Sequence, residues 1–232
     1  MLALVEDVVG RWVPSGATWV GIVAGPLVVA GYLVGSVPVG YLWSRRRLRR
    51  QLDDPALASA RVPDPGPAGM GGGVGPAVTA GLATLLVSTL AWDLALAATP
   101  TTGTFSAVGI FSNQAIGAWV SVALWTGWAS VVGHMAPVWT GFRGGSGVPP
   151  AVAVTAAYAP LVLVVGTLAF GVGYALTRQP RGSLLVALPV ATAGEYLAWL
   201  VDLQGSWGVT NGPELTLWTA VVAATVAVGS RR

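Results

Sequence analysis

Long stretches without a charged side chain dominate this sequence. Between Trp12 and Ser44 no charged residue occurs, and Arg143 is the only charged residue between Asp93 and Arg178. About 20 consecutive apolar residues suffice to cross a bilayer core, whereas soluble domains carry charges at about a quarter of their positions. In this chain charged residues make up 9% and hydrophobic residues 54%. The sequence therefore predicts an integral membrane protein.

The abundant glycines and prolines are compatible with membrane helices. The chain has 32 glycines and 16 prolines, and helices in a bilayer tolerate both when neighbouring helices satisfy the backbone. They indicate kinks and close helix contacts in an all-α, polytopic fold. Cysteine is absent, which excludes disulfides, thiolate metal sites and cysteine nucleophiles. No metal, cofactor or nucleic-acid partner is predicted.

The apolar runs predict about seven transmembrane or re-entrant helices in a single membrane domain, residues 1–232. A run of about 30 residues, 146–176, is read as two short passes bent near Pro160. As one pass it would place Arg178 and Arg181 on the outside, against the arginine bias of membrane proteins. The predicted passes are 19–43, 74–98, 115–132, two within 146–176, 183–200 and 215–229.

Arginines after the first predicted pass indicate the orientation of the chain. Five of them lie between Arg45 and Arg50, and arginine accumulation beside a pass marks the cytoplasmic side. The N-terminus is then outside, the C-terminus inside, and residues 44–73 and 133–147 form cytoplasmic loops. An alternative stays open, in which these arginines only set orientation and contact anionic lipid.

The second of these loops concentrates the groups that are capable of chemistry. It contains His134, the only histidine, and Arg143, followed by Gly144, Gly145, Ser146 and Gly147. Glycines so spaced allow backbone N–H groups to turn into one concavity that suits a phosphate. The predicted topology brings Ser36 and the arginine cluster to the same face. The simpler alternative is a glycine-rich turn between helices with one interfacial arginine.

Two motifs carry a family resemblance. Residues 35–42 read G-S-V-P-V-G-Y-L and residues 133–148 read G-H-M-A-P-V-W-T-G-F-R-G-G-S-G-V. They are similar to G-S-I-P-x-G-Y-L and G-H-x-F-P-x-F-L-G-F-K-G-G-K-G-V of the bacterial membrane glycerol 3-phosphate acyltransferases that use acyl phosphate, the PlsY family. A third, weaker similarity lies at residues 176–183. The resemblance covers roughly residues 25–230.

The resemblance implies transfer of a fatty acyl group from acyl phosphate to glycerol 3-phosphate at the cytoplasmic face of a bacterial cell membrane. The partners would be these two substrates and membrane lipid. Arg45, Arg143 and the Gly144–Gly147 backbone would bind phosphate. Ser36 would donate a hydrogen bond, and His134 would orient the acceptor hydroxyl or act as a base. Because acyl phosphate is already activated, no covalent enzyme intermediate is expected.

Departures from the family pattern leave an alternative function open. The asparagines of the G-S-G-N-x-G-A-T-N element are missing, Ser146 replaces a loop lysine, and the family's C-terminal H-R-x-N-I-x-R-L motif has no counterpart. The alternative is a catalytically degenerate membrane paralogue that binds lipid or a partner. A small transporter is less supported, because intramembrane charge is nearly absent.

Overall fold

The structure, a computed structural model, describes residues 17–39, 42, 74–97, 118–201 and 213–229. Within these ranges the chain forms seven α-helices and one 3₁₀ turn, Val138–Thr140, and contains no strand. The predicted all-α fold of about seven helices is therefore confirmed. The predicted loop 44–73 lies outside the described residues. The helices are α1 Ala17–Gly35, α2 Val74–Ala97, α3 Ala118–Met135, α4 Val148–Tyr158, α5 Pro160–Thr177, α6 Pro180–Leu200 and α7 Pro213–Gly229.

Two helix boundaries near the predicted site differ from expectation. The first predicted pass extends to residue 43, but α1 ends at Gly35. Pro38 lies just beyond, and a proline disfavours helical geometry in the residue before it. The third predicted pass ends at residue 132, but α3 continues through His134 to Met135. His134 therefore belongs to the last turn of a helix, and the loop begins after it.

The predicted break near Pro160 is present. Helices α4 and α5 are separated by Ala159, and Pro160 is the first residue of α5. Both helices line one cavity along facing stretches, Val148 to Thr155 and Val162 to Phe170, so the chain reverses direction at Ala159. Helix α4 has 11 residues and is roughly 17 Å long, about half the thickness of a bilayer core. This length fits the predicted short or re-entrant pass.

The reversal places the α5–α6 turn at a defined end of the bundle. Helix α5 runs back toward the end that carries residues 136–147, which we call the loop end. Arg178 and Gln179 connect α5 to α6 there. By length and composition, α5 and α6 are each able to cross a membrane. The two-pass interpretation of residues 146–176 therefore agrees with the observed chain direction.

Helices α1 and α3 pack side by side with their backbones in contact. The Cα of Gly31 faces the Thr126 carbonyl, and that of Gly35 faces the Ser130 carbonyl, so that a Cβ at either glycine would overlap the oxygen. The two contacting pairs are separated by the same number of positions in the sequence, so the two helices run parallel. In a bilayer, small residues of this kind allow the close approach through which helices associate.

Helix α3 is central to the bundle, because it contacts α1, α2, α4 and α7. Polar side chains tie it to α7 at two levels. Trp218 Nε1 donates to the Leu124 carbonyl at 2.8 Å, and Trp128 Nε1 donates to Thr225 Oγ1 at 3.1 Å. At the end opposite the loops, Ser121 Oγ donates to the buried Glu214 carboxylate at 2.8 Å. The position of α3 is thereby fixed from both sides.

The contact between α1 and α3 predicts the outcome of a matched pair of substitutions. Gly35→Ala would place a methyl group on the Ser130 backbone, whereas Gly25 in the same helix has open space around its Cα. We expect Gly35→Ala to destabilise the protein by about 1 to 3 kcal/mol through overpacking. Thermal unfolding in detergent should show a lower Tm for Gly35→Ala and not for Gly25→Ala. Equal Tm values for both variants would contradict the close packing.

Candidate functional site

His134 and the glycines of the loop are in direct contact. The Gly145 N–H donates to the His134 carbonyl at 2.9 Å. The Gly145 Cα lies against the imidazole, such that a Cβ there would be 2.5 Å from His134 Nε2. Gly144 packs on the His134 carbonyl and on Pro137. The loop thus folds back over the end of α3, and glycine is the only residue that fits at position 145 without displacing the ring.

The end of α1 forms one wall of this site. Gly133 is packed so closely on α1 that a Cβ there would be 2.9 Å from the Ser36 nitrogen. Ser36 is therefore adjacent to the residue before His134. Its side chain is fully buried, and its hydroxyl donates to the Tyr32 carbonyl at 2.7 Å. The expected donation from Ser36 to a substrate would need rotation of this hydroxyl away from Tyr32.

A tight turn follows α3 and sets the position of Arg143. Gly141 and Phe142 both have left-handed backbone angles, with φ of 64° and 62°, and this conformation is unusual for a bulky residue such as phenylalanine. The Phe142 N–H donates to the Pro137 carbonyl at 3.0 Å, and Thr140 Oγ1 donates to the Arg143 carbonyl at 2.7 Å. These bonds hold Arg143 at the surface of the loop end, where its guanidinium is exposed.

The backbone after Arg143 provides hydrogen-bond donors. Gly147, with φ of 74°, caps the N-terminus of α4. Among the described residues, the N–H groups of Gly144, Ser146 and Gly147 have no acceptor, whereas that of Gly145 is used by His134. Helix N-termini and glycine-rich turns bind anions through such free N–H groups. Three of the four predicted backbone donors therefore have no partner among the described residues, although Gly147 is buried.

An apolar cavity of about 270 Å³ begins beside the loop. It lies between α4, α5, α6 and α7, and Val148, which directly follows the loop, lines it together with Leu184 and Val226. The hydroxyls of Thr155 and Thr192 in its wall donate to carbonyls of their own helices at 2.8 and 3.1 Å. The hydroxyls of these two threonines are therefore already used within their own helices.

The structure brings together most of the residues that the sequence indicated. Ser36, His134 and the stretch 143–147 all lie at the loop end, and His134 contacts Gly145 directly. Arg45 lies outside the described residues.

The sequence reasoning missed two residues of this region. Met135 packs against both Gly147 and Gly229, and Tyr32 contacts the end of α3. Periodicity gave no signal for either, although Tyr32 lies only three residues before the first motif.

Comparison with known proteins gives a consistent result. The family model described as glycerol-3-phosphate acyltransferase matches residues 72–231. A protein named glycerol-3-phosphate acyltransferase from Anaeromyxobacter sp. (strain Fw109-5) is 32% identical over 184 residues, covering 78% of this chain and 81% of the relative. One of the same name from Methylobacillus flagellatus is 31% identical over 175 residues, covering 75% and 76%.

A solved structure shares the fold. The crystal structure of PlsY, an integral membrane glycerol 3-phosphate acyltransferase in its glycerol 3-phosphate form, matches with a TM-score of 0.51. The match covers 90% of this chain and 88% of the other, at 21% identity. The predicted class, an all-α polytopic integral membrane protein, is confirmed by this likeness.

Proposed function

Because the chain belongs to the glycerol-3-phosphate acyltransferase family, we propose that it transfers a fatty acyl group from acyl phosphate to glycerol 3-phosphate, giving lysophosphatidic acid. The observation that carries this proposal is the contact of Gly145 with the His134 ring. It places a proton acceptor beside a backbone turn with free N–H donors. Such a site holds a phosphate and a reacting hydroxyl close together.

The reaction needs little covalent chemistry from the protein. The 1-hydroxyl oxygen of glycerol 3-phosphate attacks the acyl carbonyl carbon, the bond from that carbon to the phosphate oxygen breaks, and inorganic phosphate leaves. His134 accepts the hydroxyl proton or orients the hydroxyl. Arg143 and the N–H groups of Gly144, Ser146 and Gly147 hold phosphate oxygens. Fixed donors of this kind stabilise developing charge without reorganisation, and positioning lowers the barrier further.

Arg45 and Ser36 complete the proposed site. Arg45 follows α1 in sequence and would add a cation near the Ser36 end of that helix. The Ser36 hydroxyl, turned from the Tyr32 carbonyl by rotation about χ1, would face the same space as His134. Neither role requires a serine nucleophile, because the acyl donor is already activated.

The acyl chain is assigned to the apolar cavity between α4, α5, α6 and α7. Along α6 its wall extends from Leu184 to Thr192, eight residues or about 12 Å. The small residues Gly166, Ala187 and Ala191 leave the space open. Since Val148 joins this wall to the loop, an acyl phosphate bound by the loop would direct its chain into the cavity.

The distribution of charge supports a cytoplasmic location for the site in a bacterial cell membrane. Among the described residues, the three arginines, Arg143, Arg178 and Arg181, all lie at the loop end. The three acidic residues, Asp93, Glu195 and Glu214, lie in the opposite half of their helices. Arginine accumulates on the cytoplasmic side of membrane proteins.

An assay with purified protein tests the proposed activity. Wild type should form lysophosphatidic acid from palmitoyl phosphate and glycerol 3-phosphate. Gly145→Leu should lower kcat/KM about 100-fold, because the new side chain displaces His134, and His134→Ala should lower it by 10² to 10⁴. Gly171→Leu, on open surface of α5, is the matched control and should retain activity. Equal product formation by wild type, Gly145→Leu and His134→Ala would instead support the non-catalytic alternative.

Filling the cavity should change the preference for acyl-chain length. Ala187→Phe places a ring in the cavity, whereas Ala175→Phe adds one to an exposed surface of α5. At about 0.8 kcal/mol for each buried methylene, displacing two methylenes lowers kcat/KM for palmitoyl phosphate more than tenfold. The ratio of kcat/KM values for octanoyl and palmitoyl phosphate should rise in Ala187→Phe and stay constant in Ala175→Phe. An unchanged ratio in both would place the chain elsewhere.

Sidedness can be measured because the chain has no cysteine. Gln179→Cys introduces an exposed thiol at the loop end and Asp93→Cys one near the opposite end. In intact cells, a membrane-impermeant maleimide should label Asp93→Cys at once and Gln179→Cys only after lysis. Labelling of Gln179→Cys from outside would reverse the proposed orientation.

A further inference from the structure

Tyr32, near the end of α1, connects three parts of the site. Its hydroxyl donates to the Ala136 carbonyl at 2.8 Å, across 104 positions of sequence. Its own carbonyl accepts the Ser36 N–H at 2.8 Å and the Ser36 hydroxyl at 2.7 Å. Gly133 packs its Cα directly on this same carbonyl. One residue thus contacts Ser36 and both flanks of His134.

The last turn of α3 depends on these contacts for its position. The final carbonyls of a helix have no partner within the helix and need one from elsewhere. Gly145 supplies the partner for the His134 carbonyl, and Tyr32 supplies the partner for the Ala136 carbonyl. The turn that carries His134 is therefore held by α1 on one side and by the glycine loop on the other.

We propose that Tyr32 is a positioning residue for the acyl transfer, because its hydroxyl holds the Ala136 carbonyl and so fixes the turn that presents His134 to Gly145. This inference rests on the proposed function. The tyrosine is partly buried, and its hydroxyl bonds the Ala136 carbonyl, two residues beyond His134. Without that bond the turn keeps its backbone contact with α1 at Gly133 but loses the hydrogen bond that holds it beyond His134. A displacement of about 1 Å is enough to slow a positioned reaction.

Tyr32→Phe removes only the hydroxyl and is the first test. Tyr158→Phe is the matched control, because Tyr158 is buried, its hydroxyl bonds Ser88 at 3.0 Å, and it lies at the far end of α4. Tyr32→Phe should lower kcat about tenfold and leave KM for both substrates within twofold. Tyr158→Phe should change kcat less than twofold, although each variant loses a hydrogen bond of its phenol hydroxyl. Equal kcat losses in the two variants would mean that the effect is general destabilisation, and would overturn the proposal.

A double-mutant cycle tests whether Tyr32 acts through His134. If it does, Tyr32→Phe should change the residual rate of His134→Ala less than twofold, because there is no imidazole left to position. The same tenfold loss in both backgrounds would show independent action and would overturn the proposal.

Nuclear magnetic resonance provides a readout that does not require activity. His134 is the only histidine in the chain. Histidine-labelled protein with a histidine-free tag therefore gives one imidazole signal. Tyr32→Phe should shift this signal, and Tyr158→Phe should leave it in place. If wild type makes no product, the proposed function fails, and the catalytic role of Tyr32 fails with it. If Tyr32→Phe leaves the imidazole signal unchanged, Tyr32 does not position His134, whatever the activity of the protein.

Discussion

The whole site depends on backbone contact between two parallel helices. In a bilayer the lipid is as apolar as the side chains, so helices associate through close packing rather than through hydrophobic burial. Gly31 and Gly35 of α1 and Gly133 of α3 remove the side chains that would separate the two backbones. Because the helices are parallel, both end at the same surface, and Ser36 arrives beside His134. A larger residue at any of these glycines would push the ends of α1 and α3 apart, and so would move Ser36 away from His134.

A second set of contacts joins this helix pair to the rest of the bundle. Gly229, at the end of α7, lies against Met135 and the Ser146 carbonyl. Helix α4 begins at Val148, directly after the Gly147 cap, and an apolar cavity lies between it and α5, α6 and α7. The backbone N–H groups of the loop and the apolar cavity therefore meet at Gly147 and Val148. This arrangement suits a reactant with a phosphate at one end and a hydrocarbon chain at the other.

Sequence reasoning reached the helix number, the break at Pro160 and the residues of the loop, because charge and proline positions report directly on how a chain crosses a membrane. It did not place the end of α1 at Gly35 or His134 inside α3. Nor did it find the bond from Tyr32 to Ala136, or Glu214 as the acceptor for Ser121 and Trp125. These features depend on which faces of the helices meet. These helices are apolar on all sides, so the sequence shows no helical periodicity that would identify the contacting face of each helix.

The contacts of the loop also bear on the replacement of a family lysine by Ser146. A lysine ammonium is a mobile point charge, which contributes attraction for phosphate but little orientation. Backbone N–H groups are fixed, and here Gly145 and Gly147 hold the backbone on His134 and Met135. Loss of a lysine therefore weakens phosphate binding more than it disturbs the placement of phosphate relative to the imidazole. For the proposed phosphate site, we therefore expect the substitution to raise KM for the phosphate-bearing substrates, whereas the glycines retain the geometry on which kcat would depend.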